Sequence, residues 1–330
     1  MTIRGIGLIT VLAAIALAPA ASVTAVAQNK AWTAPRTPDG KPDLQGIWSY
    51  ATITPLERPA EFAGKEFLSE QEAADYEKRR LQEMNMDRRD GTAQADVTRA
   101  YNDFWWDRGT KVVSTRRTSL VVDPPDGRIP PLTEEARTRT AARAEERRRS
   151  GRGPTDGPED RPLGERCIMF GSGGAPMLPG AYNNNFQLVQ TPDQVAIVIE
   201  MIHDARIVPL DARPPLPKNV RQYHGDSRGH WEGDTLVVVT TNFTDKTNFR
   251  GSSENLRLTE RFTRVAEDTL LYRFTVEDPS SFPRPWTVEI PMWRSREPIY
   301  EYACHEGNSS IAGVLAGARA EEKAAAGAGR

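Results

Sequence analysis

The residues of this chain best suited to chemistry are its four histidines, all of which lie in the C-terminal part. Each stands beside short polar or ionisable residues, within residues 201–206, 223–230 and 302–308. Histidine is the side chain whose unperturbed pKa lies near neutral pH, so such residues can transfer protons or bind a metal. The histidines therefore indicate a functional site without defining its reaction.

Predicted strand ends and one loop supply the candidate catalytic groups. A strand expected over 195–202 carries its apolar residues in phase with residue 203, which favours a histidine at the rim of an apolar interior. A glycine-flanked loop over 224–230 holds a carboxylate that can orient an imidazole. A further histidine follows a strand expected over 299–303. The predicted catalytic groups are His203, Arg206, Asp211, His224, Asp226 and His305.

Each candidate histidine also has a structural alternative. His203 fits a core histidine bonded to a backbone carbonyl, His224 fits a plain surface loop, and a structural role is favoured for His230. No standard zinc pattern is present, because the chain lacks His-x-His, His-x-x-x-His and Cys-x-x-Cys pairs. A metal site built from distant strands stays open, and no cofactor is predicted.

Aromatic and amide side chains predict the class of ligand. Aromatic walls with a few convergent polar groups suit a planar or apolar small molecule. Filling of the core is the alternative for the aromatic residues, and turn formation is the alternative for the asparagines. The predicted substrate-binding residues are Trp48, Trp105, Trp106, Tyr182, Asn184, Asn185 and Tyr302. We therefore expect a small hydrophobic or aromatic ligand.

The first residues resemble an export signal. Arg4 precedes an apolar run over 6–17, and Ala25 and Ala27 form a small-x-small cleavage site. An uncleaved anchor is the alternative, although the run is short for a membrane span. This pattern predicts a signal peptide over 1–27 and a periplasmic or secreted protein. A formal net charge of −2 for the full chain argues against a nucleic-acid partner, and a homo-oligomer stays open.

The two cysteines predict a disulfide. Cys167 and Cys304 occur in a chain expected to be exported, and an oxidising compartment favours their pairing. The alternative is that Cys304, beside His305 and Glu306, is a nucleophile. A free reactive thiol is unfavourable in an oxidising space, so we expect the bridge.

Hydrophobic periodicity predicts a mainly β protein. An N-terminal extension over 28–165 carries two helices, after Ser69 and over 134–149, and one or two strands. Short strands at regular spacing then fill residues 166–308, and a helical tail follows over 309–330. These strands predict an antiparallel meander that closes into a lipocalin-like β-barrel of about 8–10 strands, with the helices outside it or as a cap. A two-sheet sandwich is the alternative.

Several strings resemble those of a widespread group of secreted bacterial proteins whose activity is not settled. They are the segments DGKPDLQGIW at 39–48, RTSLVVDPPDG at 117–127, GDTLVVVTTNF at 233–243 and EYACHEGN at 301–308. The resemblance covers nearly the whole mature chain. It implies that the N-terminal and C-terminal parts belong to one module, and it implies no catalytic role for any residue.

Two functions fit these observations. The first is an enzyme of the lyase, isomerase or hydrolase type that performs acid–base chemistry without a cofactor. The second is a carrier or sensor that binds the same ligand without changing it. An enzyme needs two ionisable side chains in one pocket, whereas a carrier needs only aromatic walls and one polar anchor. The density of ionisable residues at predicted strand ends favours the enzyme.

Overall fold

A computed structural model describes residues 32–98, 102–170, 174–247 and 249–328. The expected signal peptide over 1–27, Tyr101 of the aromatic cluster and most of the glycine-rich loop over 171–174 lie outside these residues. From Thr33 onward the chain forms one contact unit. Its helices are α1 (Glu70–Met84), α2 (Ala93–Thr98), α3 (Glu134–Arg149) and α4 (Ser310–Ala328). None of the described helices is long and apolar enough to cross a bilayer.

Ten described strands form one antiparallel sheet. They are β1 (Gly46–Ser49), β2 (Val121–Asp123), β3 (Asn185–Gln190), β4 (Gln194–Ile199), β5 (Ala205–Pro209), β6 (Asp226–Glu232), β7 (Thr235–Thr241), β8 (Arg257–Arg264), β9 (Thr269–Glu277) and β10 (Trp286–Arg294). The order is β5-β4-β3-β1-β10-β9-β8-β7-β6, and β2 also pairs with β10.

The two edge strands of this order, β5 and β6, face each other and nearly close the barrel. A Cβ atom on Gly229 of β6 would lie 2.8 Å from Cγ1 of Val208 in β5. Arg206 of β5 also hydrogen-bonds the Ser227 hydroxyl of β6, at 3.4 Å. Side chains rather than a backbone ladder therefore join the edges, and the predicted lipocalin-like barrel is confirmed.

Strand β1 shows that the barrel extends beyond the region expected to form it. β1 lies between β3 and β10, with Trp48 paired to Phe186 on one side and to Arg294 on the other. The predicted barrel segment began at residue 166, after the N-terminal extension. The sheet therefore uses residues from both sides of that boundary.

Three local predictions differ from the structure. Residues 225–229 were expected to form a bent loop, but Asp226 begins β6, whose small residues conceal the strand pattern. The strand expected over 195–202 ends at Ile199, because Ile202 and His203 adopt positive φ angles of 63° and 50°. No strand forms over 299–303, where a disulfide and ring contacts hold the chain instead.

Side chains fill the barrel interior. Large residues that alternate along the strands, among them Trp48, Phe186 and Phe262, are fully buried. The segment before β3 also enters this core, because the Met177 backbone N–H donates to the Tyr272 hydroxyl at 3.2 Å and Met177 is itself fully buried. The interior is thus a packed core, and a ligand site must be sought elsewhere on the molecule.

The helices lie outside this core. Helix α1 begins at the predicted capping box of Ser69 and Glu72, and its Tyr76 packs in a small separate apolar cluster. Helix α3 begins after Thr133, whose hydroxyl accepts from the Ala136 N–H and donates to a carbonyl of the β9–β10 loop. Helix α3 therefore lies against loops at one end of the barrel.

Candidate active site

The main candidate site is a cleft on the outer face of the barrel. Successive residues of a strand point to opposite faces, so the residue after buried Trp48 points outward. Strand register then aligns Ser49 of β1 with Asn185 of β3 on one side and with Trp293 of β10 on the other. These three residues form the floor of the cleft.

Three loops complete the cleft, whose volume is about 630 Å³. Residues 105–107 lie on one side, residues 182–183 precede β3, and residues 295–302 follow β10. Its aromatic and ionisable lining comprises Trp105, Asp107, Tyr182, Glu200, Trp293, Glu297, Tyr300 and Tyr302. Aromatic walls with a few polar groups are typical of small-molecule sites.

Glu200 is held rigidly at the end of β4. Its side chain is 3% exposed. One carboxylate oxygen accepts from Nδ2 of Asn185 at 2.8 Å, and the other accepts from the backbone N–H of Tyr300 at 3.2 Å. Two donors therefore fix the direction of this carboxylate.

Asp107 stands in the loop on the other side of the cleft. Asp107 is exposed, but partial desolvation of its carboxyl group raises its pKa. The negative charge of Glu200 raises this pKa further, and a hydrogen bond from the backbone of Asn184 partly opposes both effects. The fully buried Asn184 side chain positions this loop, because its Nδ2 donates to the Asp107 carbonyl and its Oδ1 accepts from Gly180 N–H at 2.7 Å. Asp107 thus retains a proton to higher pH than an ordinary aspartate.

Stacked tyrosines form another wall. The rings of Tyr182 and Tyr302 stack with centroids 6.2 Å apart, and Trp106 meets Tyr182 edge-on at 6.3 Å. Burial, followed by the hydrogen bond to Tyr302, raises the pKa of Tyr182 to about 12. Tyr182 therefore remains a neutral hydroxyl, able to donate a hydrogen bond at physiological pH.

The cleft carries negative charge. Three carboxyl groups, those of Asp107, Glu200 and Glu297, are among its described lining residues, which include no lysine, arginine or histidine. The low dielectric constant of the protein wall strengthens the repulsion between these carboxylates and an anion. The arrangement suits neutral or positively charged molecules that present hydrogen-bond donors.

None of the six predicted catalytic residues lines the cleft. Arg206 is inside the barrel, where it forms a buried ion pair with Glu260. His203 is exposed. Its predicted position assumed that β4 continues to residue 203, but the chain turns there with positive φ angles. Exposed Asp211 pairs with Arg213.

The other three predicted catalytic residues also have contacts away from the cleft. Nε2 of His224 lies 2.8 Å from a carboxylate oxygen of Asp204, not of the expected Asp226. Asp226 instead accepts from the backbone N–H of Leu216 at 2.8 Å and pairs with Arg228. His305 is exposed after the disulfide. Their catalytic roles stay predictions.

Four of the seven predicted substrate-binding residues line the cleft, namely Trp105, Tyr182, Asn185 and Tyr302. The other three lie behind its surface. Trp106 packs against Tyr182 and under the guanidinium of Arg108, Asn184 positions the loops, and Trp48 fills the barrel core. Contact with a ligand stays a prediction for all seven residues.

The predicted disulfide is confirmed, and it ties the cleft wall to the chain before β3. Cys167 bonds Cys304, which follows Tyr302 by two residues. Nδ2 of Asn308 also donates to the Glu165 carbonyl at 2.7 Å. The bridge therefore anchors a wall that has no strand ladder of its own.

The sequence interpretation missed the two carboxyl groups, Asp107 and Glu200. Both followed signals that were visible in the chain. Asp107 comes directly after the aromatic string that ends at Trp106, and Glu200 is a charged residue directly after the apolar run of β4. A charge at the end of a buried strand requires partners, which is itself a sign of a site.

Comparison with protein-family models, with curated proteins and with solved structures returned no match.

Proposed function

We propose that this protein is an enzyme that performs acid–base chemistry on a small molecule in the outer cleft. The observation that carries the proposal is the presence of two carboxyl groups in one aromatic cleft, a buried one on Glu200 and an exposed one with a raised pKa on Asp107. Two ionisable groups in different surroundings can take separate acid and base roles. The chemistry uses side chains alone, as in a lyase, isomerase or hydrolase.

The two carboxyl groups have distinct roles in this proposal. Asp107, whose pKa is raised, is the proton donor. Glu200, fixed by Asn185 and the Tyr300 N–H, is the proton acceptor or stabilises positive charge that develops in the transition state. Tyr182 donates a hydrogen bond that orients the ligand.

The lining also limits the ligand. Trp105 and Trp293 are 57% and 43% exposed, so both offer accessible aromatic surface. A planar or apolar molecule can stack on them, and a cationic group is attracted by their rings and by the carboxylates. We therefore propose a neutral or cationic aromatic substrate rather than an anionic one.

The proposed compartment is the periplasm or the exterior of the cell. The disulfide supports this proposal, because such bonds persist in oxidising spaces. The export pattern over residues 1–27 points in the same direction.

A carrier is the second candidate function. The observation that favours it is the barrel itself, since small β-barrels commonly serve as scaffolds for ligand binding. In a carrier, the carboxyl pair would only orient the ligand.

The test begins with a library of neutral, cationic and anionic aromatic compounds, screened by quenching of tryptophan fluorescence. Compounds that bind are then incubated with the protein and followed by mass spectrometry. We expect turnover that falls at least about a hundredfold in Asp107→Asn and Glu200→Gln, as removal of a general acid or base usually causes. Asp211→Asn, which removes an exposed carboxylate outside the cleft, is the matched control.

Each outcome decides between the candidates. Turnover that survives in both cleft variants excludes the proposed acid–base pair. Ligands that bind but are recovered unchanged by the wild-type protein support the carrier. Loss of turnover in Asp211→Asn alone would instead support an active site among the catalytic residues predicted from the sequence.

A further inference from the structure

A second cavity, remote in sequence from the cleft residues, lies beside helix α3. Its volume is about 990 Å³. Its walls are α3, the segment over 152–166 and residues 245–246 of the β7–β8 loop. We call it the basic groove, because six of its lining residues are basic: Arg143, Arg147, Arg152, Arg161, Arg166 and Lys246.

Half of these cations already have acidic partners. Arg143 pairs with Asp245, Arg161 pairs with Glu165, and Arg152 is held by two carboxylates that also line the groove. These three arginines therefore contribute little net charge to a ligand. They help to build the walls.

The remaining three cations come from three separate parts of the chain. Arg147 belongs to α3, Arg166 precedes the disulfide cysteine, and Lys246 belongs to the β7–β8 loop. Within the described residues, none of the three has an ion-pair or side-chain hydrogen-bond partner. Glu146 also lines the groove without an ion-pair partner there, and the two carboxylates on Arg152 leave one further negative charge, so the unmatched charge is +3 − 2 = +1.

Convergence of unmatched like charges costs stability unless an anion neutralises them. A chain folded without such a need can direct these long side chains apart into solvent. Here three segments place them around one cavity, where Arg147 and Lys246 are exposed and Arg166 is half-buried.

The walls of the groove are held in place before any ligand arrives. Nη1 of Arg161 donates to the Pro154 carbonyl at 2.9 Å, and Nη2 of Arg319 in α4 donates to the Thr155 carbonyl at 3.0 Å. Arg166 is followed by Cys167, which the disulfide fixes. A preorganised wall reduces the entropy lost on binding.

We propose that the basic groove binds a compact, multiply charged oxyanion, such as a phosphate ester or a polycarboxylate. A nucleic acid fits less well, because binding to its backbone needs an extended positive field. Four carboxylates line the groove, which would repel a long polyanion while leaving room for a compact one. The cleft, in contrast, excludes anions, so the two cavities take ligands of opposite charge.

The test is calorimetric titration of the full chain with two probes, pyrophosphate and citrate. The two probes distinguish a phosphate ligand from a carboxylate ligand. We expect at least one probe to bind, and the Arg166→Gln/Lys246→Gln variant to bind it about tenfold more weakly, since charge-assisted contacts are lost. Arg147→Gln alone should weaken it as well.

The matched control is Arg148→Gln/Arg149→Gln. Both arginines lie at the same end of α3, pair with Glu145 and do not line the groove, so the loss of net charge is equal. We expect this control to bind the probe as the wild-type protein does. Asp107→Asn should also bind it normally, which separates this proposal from the proposed enzyme.

Three results would overturn the proposal. The first is the absence of heat with either probe at millimolar concentration. The second is equal weakening in the groove variant and in the control, which would mean that only overall charge matters. The third is a single-stranded oligonucleotide that binds more tightly than both probes. If circular dichroism shows that the double variant is unfolded, the binding measured with Arg147→Gln decides the test instead.

Discussion

Asp107 and Glu200 illustrate how the surroundings of two similar residues create different chemistry. Both are carboxylic acids of the same cleft, but Glu200 is almost fully buried and accepts two hydrogen bonds, whereas Asp107 is exposed. Partial desolvation and the like charge of Glu200 raise the pKa of Asp107. The difference arises from neighbours that are distant in sequence.

A first prediction follows for Glu200→Gln. Removal of the negative charge should lower the pKa of Asp107, because the second cause of its elevation is then absent. Deprotonation of Asp107 would move to lower pH. Carbon-detected NMR of the Asp107 carboxyl group across a pH titration measures the shift. An unchanged midpoint would show that the two groups do not interact.

The same elevation links pH to stability. A carboxyl group whose folded pKa lies above its unfolded value stabilises the fold fully only below the unfolded pKa, and this contribution is lost as pH rises through the folded pKa. Asp107 therefore favours the folded state at acidic pH. Asp107→Asn should remove this part of the pH dependence, as measured by urea unfolding at several pH values.

The buried ion pair of the barrel interior permits another prediction. Arg206 and Glu260 are 5% and 0% exposed, and the Tyr272 hydroxyl donates to Glu260 at 2.8 Å. Glu260→Leu leaves a buried guanidinium without its charge partner, so we expect a loss of about 3–5 kcal/mol in the free energy of unfolding.

The control for this prediction is Arg206→Met/Glu260→Leu, which removes both charges. It should recover most of the lost free energy, because a buried pair replaced by apolar side chains costs little. A double variant as unstable as Glu260→Leu alone would mean that the polar network itself holds the barrel edges together. Chemical denaturation monitored by fluorescence measures all three proteins.

Some residue positions follow from a local pattern. Trp105, predicted as a substrate-binding residue from its aromatic cluster, lines the cleft, and its contact with a ligand stays a prediction. The position of Arg206 was different, because its partner Glu260 is 54 residues away and carries no sequence signal that links the two. Pairing across a barrel is a property of strand register, which one sequence does not specify.

At the scale of elements, the barrel seam is the least regular part of the fold. β5 and β6 meet without a ladder of backbone hydrogen bonds, and their contact depends on the glycine at position 229. A Cβ atom there would lie 2.6 Å from Leu210 Cδ2 and 2.8 Å from Val208 Cγ1. Gly229 therefore allows the close approach of the two edges.

Gly229→Ala should accordingly destabilise the protein. We expect a loss of about 1–3 kcal/mol in the free energy of unfolding, since the added methyl group forces buried Val208 to move. Gly153→Ala, where the nearest atom would be 3.7 Å away, should be close to neutral. Equal stability of the two variants would show that the seam is already open in solution.

Elements with strong local signals were predicted well, and those held by distant contacts were not. Helix α3 has the predicted bounds over 134–149, because its Thr133 cap and its helix-forming composition are both local. Strand β6 was interpreted as a loop, since its Gly and Ser residues lack a period-two apolar pattern and only pairing with β7 makes it extended. The segment over 299–303 had the pattern of a strand, but no strand forms there and the disulfide and the stacked Tyr302 ring hold it.

At the scale of the whole molecule, one disulfide joins the cleft wall that contains Tyr302 to the chain before β3. The disulfide closes a sequence separation of 137 residues. A loop of that length is worth roughly 4–5 kcal/mol in the chain-entropy description of disulfides. The bond also lies two residues from Tyr302 of the cleft wall, so it affects both stability and the candidate site.

The Cys167→Ser/Cys304→Ser variant should therefore show two effects of different size. Global stability should fall by about 4–5 kcal/mol. The wall over 295–302 has no strand ladder, so the Tyr300 N–H that donates to Glu200 should exchange with solvent much faster than the N–H groups of β9. Hydrogen exchange measured residue by residue separates this local opening from global unfolding. A Tyr300 N–H that stays as well protected as in the wild-type protein would mean that the stacked tyrosines alone hold the wall, and that the cleft does not depend on the disulfide.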